Sequence, residues 1–205
     1  LQLAQAGYAP YLEVVGAGAG TGEHEDWVRQ VLQRFEAFRI LCAVRDGEWG
    51  VTGLNEAIEV RLEQNRLLRR GAEWYVGRPV MVTRNDYATR VFNGDIGVTL
   101  PDPARAGALR VYFLEGDAVR SVLATRLRNV ETAFAMTVHK SQGSEFAHTV
   151  LALPRERNAV LTRELVYTGI TRASREFTLV TPTAAVLLDA IAEKTHRTSG
   201  LRDLI

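Results

Sequence analysis

The sequence has a single cysteine among its 205 residues, Cys42. One cysteine excludes an internal disulfide and a zinc site built from several cysteines, so we expect a protein of the reducing cytoplasm. No apolar run approaches the ~18 residues that a membrane span needs, and no segment resembles a signal peptide, so we expect no membrane association. The composition, 46% hydrophobic and 24% charged, is typical of a globular domain.

Lysine is also scarce, since 25 residues are basic and only Lys140 and Lys194 are lysines. A phosphate-binding loop of the Walker A type needs a lysine directly after a glycine-rich turn. Neither lysine follows a glycine, so the chain has no phosphate-loop lysine of its own. The net charge of +1 gives no reason to expect nucleic-acid binding.

One glycine-rich stretch, residues 16–22, follows the apolar run Tyr11–Val15. Its glycines do not have the spacing of a dinucleotide-binding fingerprint, because the third glycine is replaced by Thr21 in one register and by Glu23 in the other. We interpret residues 1–22 as a flexible N-terminal segment.

Two parts of the chain have the pattern of an α/β domain. A helical spacing of apolar residues over 23–38 precedes a buried strand over 40–44, and alternating strands and helices return after the middle of the chain. We predict one discontinuous domain made of residues 23–81 and 131–205, in which a parallel sheet has flanking helices.

The middle part, residues 82–130, has a different pattern. Short strands alternate with turns, and Asn93–Gly94 is a dipeptide typical of hairpins. Regularly spaced short strands predict a small β-barrel, inserted between the halves of the α/β domain.

One segment, residues 135–146, begins as a strand and ends as a polar loop. Five of its residues carry hydrogen-bond donors within a span of six: Thr137, His139, Lys140, Ser141 and Gln142. At the carboxyl end of a strand such donors can meet phosphate oxygens, and Gly143 lets backbone N–H groups approach. Glu145 adds an acceptor suited to a ribose hydroxyl. The alternative interpretation is a polar strand-to-helix connection with a capping serine.

A second segment, Glu164–Ala173, is an apolar helical stretch that ends in Arg172 beside small residues. Taken alone, it is equally typical of a core helix whose last arginine interacts with the helix dipole.

Together, these segments resemble two motifs of superfamily 1 DNA helicases. Residues 137–146, Thr-Val-His-Lys-Ser-Gln-Gly-Ser-Glu-Phe, are similar to motif V, and residues 166–173, Val-Tyr-Thr-Gly-Ile-Thr-Arg-Ala, to motif VI. The His-Lys-Ser-Gln-Gly variant and the ending Thr195–Leu201 resemble the RecD branch of that superfamily. The resemblance extends from Gly77 to the C-terminus and, more loosely, over Arg39–Asn55.

The resemblance implies an α/β fold, a RecA-like second motor domain with an inserted small β-barrel. In such helicases ATP with Mg²⁺ is bound in the cleft between two motor domains, mainly by the first. The phosphate-loop lysine and the magnesium-binding acids belong to that first domain. We therefore expect this chain to be part of a longer protein, to be inactive alone and to contain no metal ligands.

The resemblance also implies roles for residues near the nucleotide. Arg172 matches the motif VI arginine that reaches the γ-phosphate, and Arg45 resembles a motif IV arginine at the same phosphate. Both are therefore expected to be catalytic. Gly143 and Glu145 match the nucleotide-facing end of motif V.

Other residues of motif V are expected to face DNA. Thr137 and His139 match its DNA-facing end, and Lys140 and Ser141 are further candidates. Many relatives outside the RecD branch have a lysine directly before the motif V glycine, where this sequence has Gln142.

The function implied is 5′ to 3′ movement on single-stranded DNA, driven by ATP. The longer protein would act with the other subunits of exodeoxyribonuclease V in double-strand-break repair and recombination. One alternative is the helicase part of a conjugative relaxase, which shares the His-Lys-Ser-Gln-Gly variant. Another is a non-catalytic, helicase-derived interaction module, although the intact Gly143, Glu145 and Arg172 argue against decay.

Overall fold

A computed structural model describes residues 1–193, so Lys194 and the RecD-like ending Thr195–Leu201 lie outside the described residues. Within residues 1–193 the helices are α1 (Gln2–Ala17), α2 (His24–Glu36), α3 (Val51–Gln64), α4 (Arg163–Ile170) and α5 (Ala184–Ala192). The strands are β1 (Phe38–Cys42), β2 (Pro79–Val82), β3 (Ile96–Pro101), β4 (Leu109–Glu115), β5 (Ala118–Leu123), β6 (Val130–Thr132), β7 (Ala135–Thr137), β8 (Phe146–Ala152) and β9 (Ala173–Val180). In this part of the chain no helix has the length and apolar character needed to cross a membrane.

Four strands form a parallel sheet in the order β7-β1-β8-β9. All five residues of the inner strand β1 are buried, as expected where helices cover both faces of a sheet. On one face Phe38 and Ile40 pack in a cluster with residues of α1, α2 and α3. On the other face Leu41 packs in a cluster with residues of α4 and α5. The predicted fold class, a parallel sheet with flanking helices, is confirmed.

Five strands form a separate antiparallel sheet in the order β5-β4-β3-β2-β6. One face of this sheet has an apolar cluster of its own. On the other face Val98 and Tyr112 are buried in the main core with residues of α1 and α2. The sheet corresponds to the predicted small β-barrel, but its strands begin at Pro79 and end at Thr132, outside the predicted limits of 82–130.

The prediction of a flexible segment over 1–22 is wrong for most of its length, because Gln2–Ala17 form α1. Ala4, Tyr8 and Tyr11 recur at helical spacing on one side of this helix and are buried. The glycines that suggested flexibility lie mostly beyond its end. Burial of two tyrosines therefore makes α1 part of the core rather than a tail.

The chain passes from the antiparallel to the parallel sheet through Ala133 and Phe134. The Ala133 N–H donates to the Pro79 carbonyl of β2 at 3.0 Å, and the Ala133 carbonyl accepts from Arg39 Nη1 of β1 at 3.1 Å. The Phe134 carbonyl accepts a hydrogen bond from the Tyr8 hydroxyl of α1. Three separate elements thus fix this crossing between the sheets.

The next residue, Ala135, begins β7 at the edge of the parallel sheet. The Asn55 side chain of α3 donates from Nδ2 to the Ala135 carbonyl at 3.0 Å and accepts the Ala135 N–H at Oδ1 at 2.9 Å. Asn55 is buried, and its amide pairs with backbone groups that a sheet edge would otherwise leave open.

We expect Tyr8→Phe to lower the free energy of unfolding by about 1–3 kcal/mol, because the buried Phe134 carbonyl would lose the hydrogen bond from this hydroxyl. Tyr8→Ala should cost more, about 3–5 kcal/mol, because it also opens a cavity. Urea unfolding of the 205-residue chain measures both changes, with Tyr87→Phe at an exposed tyrosine as the matched control. An unchanged transition midpoint for Tyr8→Phe would contradict a stabilising role of this hydroxyl.

Candidate functional site

The segment that resembles motif V runs from one end of the strands of the parallel sheet to the other end. These two sides, where the strands end and begin, differ from the lateral edges formed by β7 and β9. Thr137, at the end of β7, is in register with Cys42 at the end of β1, and this side is called the carboxyl edge. Phe146, at the start of β8, is in register with Ala173 at the start of β9, and this side is called the amino edge. Residues 138–145 carry the chain from the carboxyl edge to the amino edge.

Arg172 lies at the amino edge, between α4 and β9. Its Nη1 donates to the Ser144 carbonyl at 3.1 Å, and its Nε donates to the Thr168 carbonyl at 3.3 Å. Its own carbonyl accepts the Phe146 N–H at 2.8 Å, which joins the two motif-like segments directly. Within residues 1–193 the half-buried guanidinium bonds only to neutral acceptors, so its charge is available to an anion.

Gly143 and Glu145 lie just before β8 at the same edge. Gly143 has a φ of 86°, in the left-handed region, and no atom lies within 4 Å of the position of a Cβ. The backbone conformation, rather than crowding, therefore favours glycine there. Glu145 is exposed and follows Ser144, whose carbonyl holds Arg172. The structure thus brings Gly143, Glu145 and Arg172 to one edge of the sheet.

The residues predicted to face DNA lie at the carboxyl edge, in the short 3-10 turn Val138–Ser141. Thr137 begins this turn, and its side chain accepts the Lys140 N–H at 3.3 Å. His139 is exposed. Lys140 Nζ donates to Asn93 Oδ1 at 2.7 Å, so the turn is tied to the loop between β2 and β3.

Ser141 does not reach the solvent. It is fully buried, and its Oγ donates to the Val138 carbonyl at 2.7 Å. This position contradicts the prediction that Ser141 contacts DNA, because its hydroxyl instead closes the turn that presents His139 and Lys140.

Arg45 lies at the opposite end of the sheet from Arg172. It follows β1 at the carboxyl edge, where Cys42, Ala152 and Val180 are in register. Since β9 is eight residues long, the two arginines are separated by on the order of 20 Å along the strand direction. The structure therefore does not bring both arginines to one phosphate, contrary to the expectation from the sequence.

Arg45 forms an exposed ion pair at its own edge. Its Nη2 lies 2.5 Å from Glu131 Oε2, and this hydrogen-bonded pair raises the pKa of the Arg45 guanidinium. A cavity of about 400 Å³ beside it is lined by charges of both signs, from Asp46, Glu156 and Arg157. In the described part of the chain, no group of three His, Cys, Asp or Glu side chains could hold a metal ion.

Sequence patterns did not predict two exposed aromatic rings near Lys140. Tyr87 is 77% exposed and Phe92 is 45% exposed, and their ring centroids are 6.1 Å apart. Both belong to residues 83–95, between β2 and β3, which we call the aromatic loop. The signal available in the sequence was an aromatic residue on the turn itself, beside Asn93–Gly94.

Hydrogen bonds from its own side chains hold the aromatic loop in shape. Backbone N–H groups donate to side-chain oxygens at three places: Ala88 to Asp86 at 2.9 Å, Asn93 to Asn85 at 2.8 Å and Phe92 to Asp95 at 2.9 Å. A hydrogen bond of 3.0 Å from the Asp95 N–H to the Phe92 carbonyl closes the turn. Gly94 lies inside this turn with a φ of 100°. The two rings are therefore presented on a fixed backbone rather than on a loose one.

Two protein families match the chain. Residues 132–180 match the UvrD-like helicase C-terminal domain. Residues 54–113 match the SH3 domain of ATP-dependent RecD-like DNA helicases, a range that overlaps α3 as well as strands β2 to β4. Neither matched range coincides with the predicted limits of the insertion, 82–130.

Individual relatives are similar over most of this chain. It is 44% identical over 174 residues to the RecBCD enzyme subunit RecD of Haemophilus influenzae, covering 84% of this chain and 26% of that protein. It is 42% identical over 171 residues to the RecBCD enzyme subunit RecD of Mycobacterium tuberculosis, covering 83% of this chain and 29% of that protein. The ATP-dependent RecD2 DNA helicase of Deinococcus radiodurans is 31% identical over 171 residues, covering 82% of this chain and 23% of that protein.

Among solved structures, a Pif1 helicase from Bacteroides in complex with ADP-AlF3 and ssDNA aligns with 85% of this chain and 49% of its own. The sequence identity is 15% and the TM-score is 0.43. The chain spans less than a third of the length of the curated relatives described above.

We expect the ion pair of Arg45 and Glu131 to stabilise the fold by less than about 1 kcal/mol, because the Arg45 side chain is 58% exposed and water screens the pair. Urea unfolding of Arg45→Ala, Glu131→Ala and their double variant gives the coupling energy of the pair.

Ser141→Ala should lower the free energy of unfolding by about 1 kcal/mol or more, because the turn loses a buried hydrogen bond. A Ser141→Ala variant as stable as the wild type would contradict the structural role of that hydroxyl.

Proposed function

Because its sequence is that of a RecD-type superfamily 1 helicase domain, as its motifs predicted, we propose that this chain is the second motor domain of an ATP-dependent DNA helicase. The observation that supports this most is Arg172, a guanidinium with only neutral acceptors within residues 1–193, on one edge with Gly143 and Glu145. Since the chain spans less than a third of its relatives, the activity is proposed for the longer protein.

The amino edge offers one side of a nucleotide site. The exposed Glu145 carboxylate is placed to accept hydrogen bonds from ribose hydroxyls, and the open backbone at Gly143 leaves room for a phosphate. ATP, bound with Mg²⁺ mainly by the other motor domain, would supply the γ-phosphoryl group that passes to water while ADP leaves, and the metal ion would neutralise phosphate charge. Arg172 donates to the oxygens on which charge grows during this transfer.

Neither lysine of this chain follows a glycine, so the phosphate-loop lysine has to come from the other motor domain. The magnesium-binding acids are assigned to that domain as well. We therefore expect the 205-residue chain alone not to hydrolyse ATP. Arg172 and Glu145 cannot replace a metal ion and a lysine at the β- and γ-phosphates.

We assign single-stranded DNA to the carboxyl edge. Thr137, His139 and Lys140 are placed to contact backbone phosphates, and Tyr87 and Phe92 of the aromatic loop offer ring faces for stacking. Neither kind of contact reads sequence, which suits an enzyme that moves along DNA.

The names of the relatives, RecBCD enzyme subunit RecD, favour a place in exodeoxyribonuclease V over a conjugative relaxase. In that setting the longer protein moves 5′ to 3′ on one strand during double-strand-break repair and recombination. We assign the nuclease chemistry to another subunit. A decayed, non-catalytic module is disfavoured because Gly143, Glu145 and Arg172 are brought together at one edge.

In the longer protein we expect Arg172→Ala to lower kcat by about 10³-fold or more, because the guanidinium acts on charge that grows in the transition state. The KM for ATP should change far less. Arg172→Lys should recover little activity, since an ammonium lacks the planar fork. Steady-state ATPase rates with saturating single-stranded DNA measure both.

Arg175→Ala is the matched control, because Arg175 is an exposed arginine on the strand that follows Arg172. It should keep wild-type rates. A kcat for Arg172→Ala within about threefold of wild type would remove Arg172 from the catalytic site. It would leave that residue the competing role of a helix-end arginine.

We expect Tyr87→Ala and Phe92→Ala each to weaken binding of single-stranded DNA by about fivefold or more, because base stacking on a ring contributes about 1–3 kcal/mol per base. The salt dependence of binding should stay unchanged, since no phosphate contact is lost. Tyr87→Phe, which keeps the ring, is the matched control. Fluorescence anisotropy with oligo-dT measures these affinities, and wild-type affinity in Tyr87→Ala and Phe92→Ala would refute stacking on this loop.

Lys140→Ala should instead lower the slope of log K against log salt concentration by about one, because one phosphate contact is lost. The same anisotropy titrations, repeated over a series of salt concentrations, measure this slope.

A further inference from the structure

Arg39 is a charged residue in an unusual place, since it is only 1% exposed in the inner strand β1. Arginine is almost never fully buried without compensation, and burial lowers the pKa of the Arg39 guanidinium. Within residues 1–193 no carboxylate forms an ion pair with it. A neutral side chain of similar size would fill this space at a lower desolvation cost. The presence of an arginine here is therefore explained by what its guanidinium contacts.

The guanidinium of Arg39 packs against two aromatic rings. Its central carbon lies 4.0 Å from the ring centroid of Phe35 and 5.0 Å from that of Phe146. Phe146 directly follows Glu145, and its N–H donates to the Arg172 carbonyl at 2.8 Å. Arg39 therefore packs on the residue that joins the two segments of the amino edge.

The same guanidinium donates to the Ala133 carbonyl at 3.1 Å, and the Ala133 N–H donates to the Pro79 carbonyl at 3.0 Å. Pro79 begins β2, which leads directly into the aromatic loop. A planar guanidinium can stack on rings with its faces while its edge donates hydrogen bonds. Neither lysine nor methionine can do both.

We propose that Arg39 is a positioning residue that joins the amino edge of the parallel sheet to the antiparallel sheet. Through Phe146 it sets the position of Arg172, and through Ala133 it sets the position of the sheet that carries the aromatic loop. A displacement of Phe146 is then transmitted to Ala133, because one rigid group contacts both. The coupling of nucleotide and DNA sites rests on the proposed function, whereas the positional role can be measured on this chain alone.

The positional role is tested by amide hydrogen exchange, followed by NMR, in the 205-residue chain. Arg39→Met fills the space but cannot bond to the Ala133 carbonyl. Exchange should rise about tenfold or more at the amides of Phe146 and Ala133, while the amide of the buried Leu151, near the far end of β8, keeps its wild-type rate. Thr149→Val is the matched control and should change none of them. Thr149 is buried in register with Arg39, and within residues 1–193 its hydroxyl has no hydrogen-bond partner.

Two results would overturn the proposal: unchanged exchange at Phe146, or an equal rise at every amide including Leu151. Either would reduce Arg39 to a contributor to overall stability. If Arg39→Met does not fold, Phe146→Leu decides the question, because it keeps Arg39 and removes one of its two aromatic contacts. It should raise exchange at Ala133 selectively, and an unchanged rate there would refute the link.

The coupling is tested in the longer protein, from the Kd for oligo-dT with and without a non-hydrolysable ATP analogue. The ratio of the two values measures the coupling. In Arg39→Met this ratio should move towards unity, which means that the ATP analogue no longer changes the affinity for oligo-dT. The Kd without nucleotide should stay within about threefold of wild type. A wild-type ratio in Arg39→Met would refute the coupling. If the wild-type longer protein does not bind ATP, the proposed function fails, and the exchange experiment still decides the role of Arg39.

Discussion

Ala133 and Phe134 cross between the two sheets inside the core, where backbone groups must find their partners in the protein because water does not reach them. Pro79, Arg39 and Tyr8 supply those partners from β2, β1 and α1. This requirement explains why the antiparallel sheet, although inserted in the sequence, shares a core with the α/β part. It also explains why α1 lies in the core, since the Tyr8 hydroxyl of this helix donates to the buried carbonyl of Phe134.

The parallel sheet and the two motif-like segments could be predicted because their signals are local. A buried strand, a helical spacing and a polar loop that follows a strand are each contained in a short window of sequence. The meeting of Glu145 with Arg172 follows from the same signals, because both precede parallel strands that lie side by side. The strand pattern alone placed Gly143 and Glu145 at the carboxyl end of a strand, whereas the similarity to motifs V and VI grouped them with Arg172. The structure brings all three to the amino edge.

Features that depend on distant partners could not be predicted in this way. Arg45 was placed with Arg172 because sequence similarity does not tell which edge of a sheet a residue occupies, and that depends on strand direction and order. Ser141 was missed for a different reason: its partner Val138 is local, but the sequence does not show that the 3-10 turn buries this hydroxyl and uses it. Arg39 reads as an ordinary residue beside a strand, and only the fold shows its contacts with Phe146 and Ala133.

The pairing of Asn55 with Ala135 has a consequence for how this domain can assemble. An open sheet edge is a template on which a strand from another molecule can add, and such addition leads to swapped oligomers and aggregates. Asn55 takes up the backbone groups that the incoming strand would need at β7. At the opposite edge, β9 presents the exposed charges of Arg175 and Glu176. Growth of a continuous intermolecular sheet from the parallel sheet is therefore blocked at β7 and discouraged at β9.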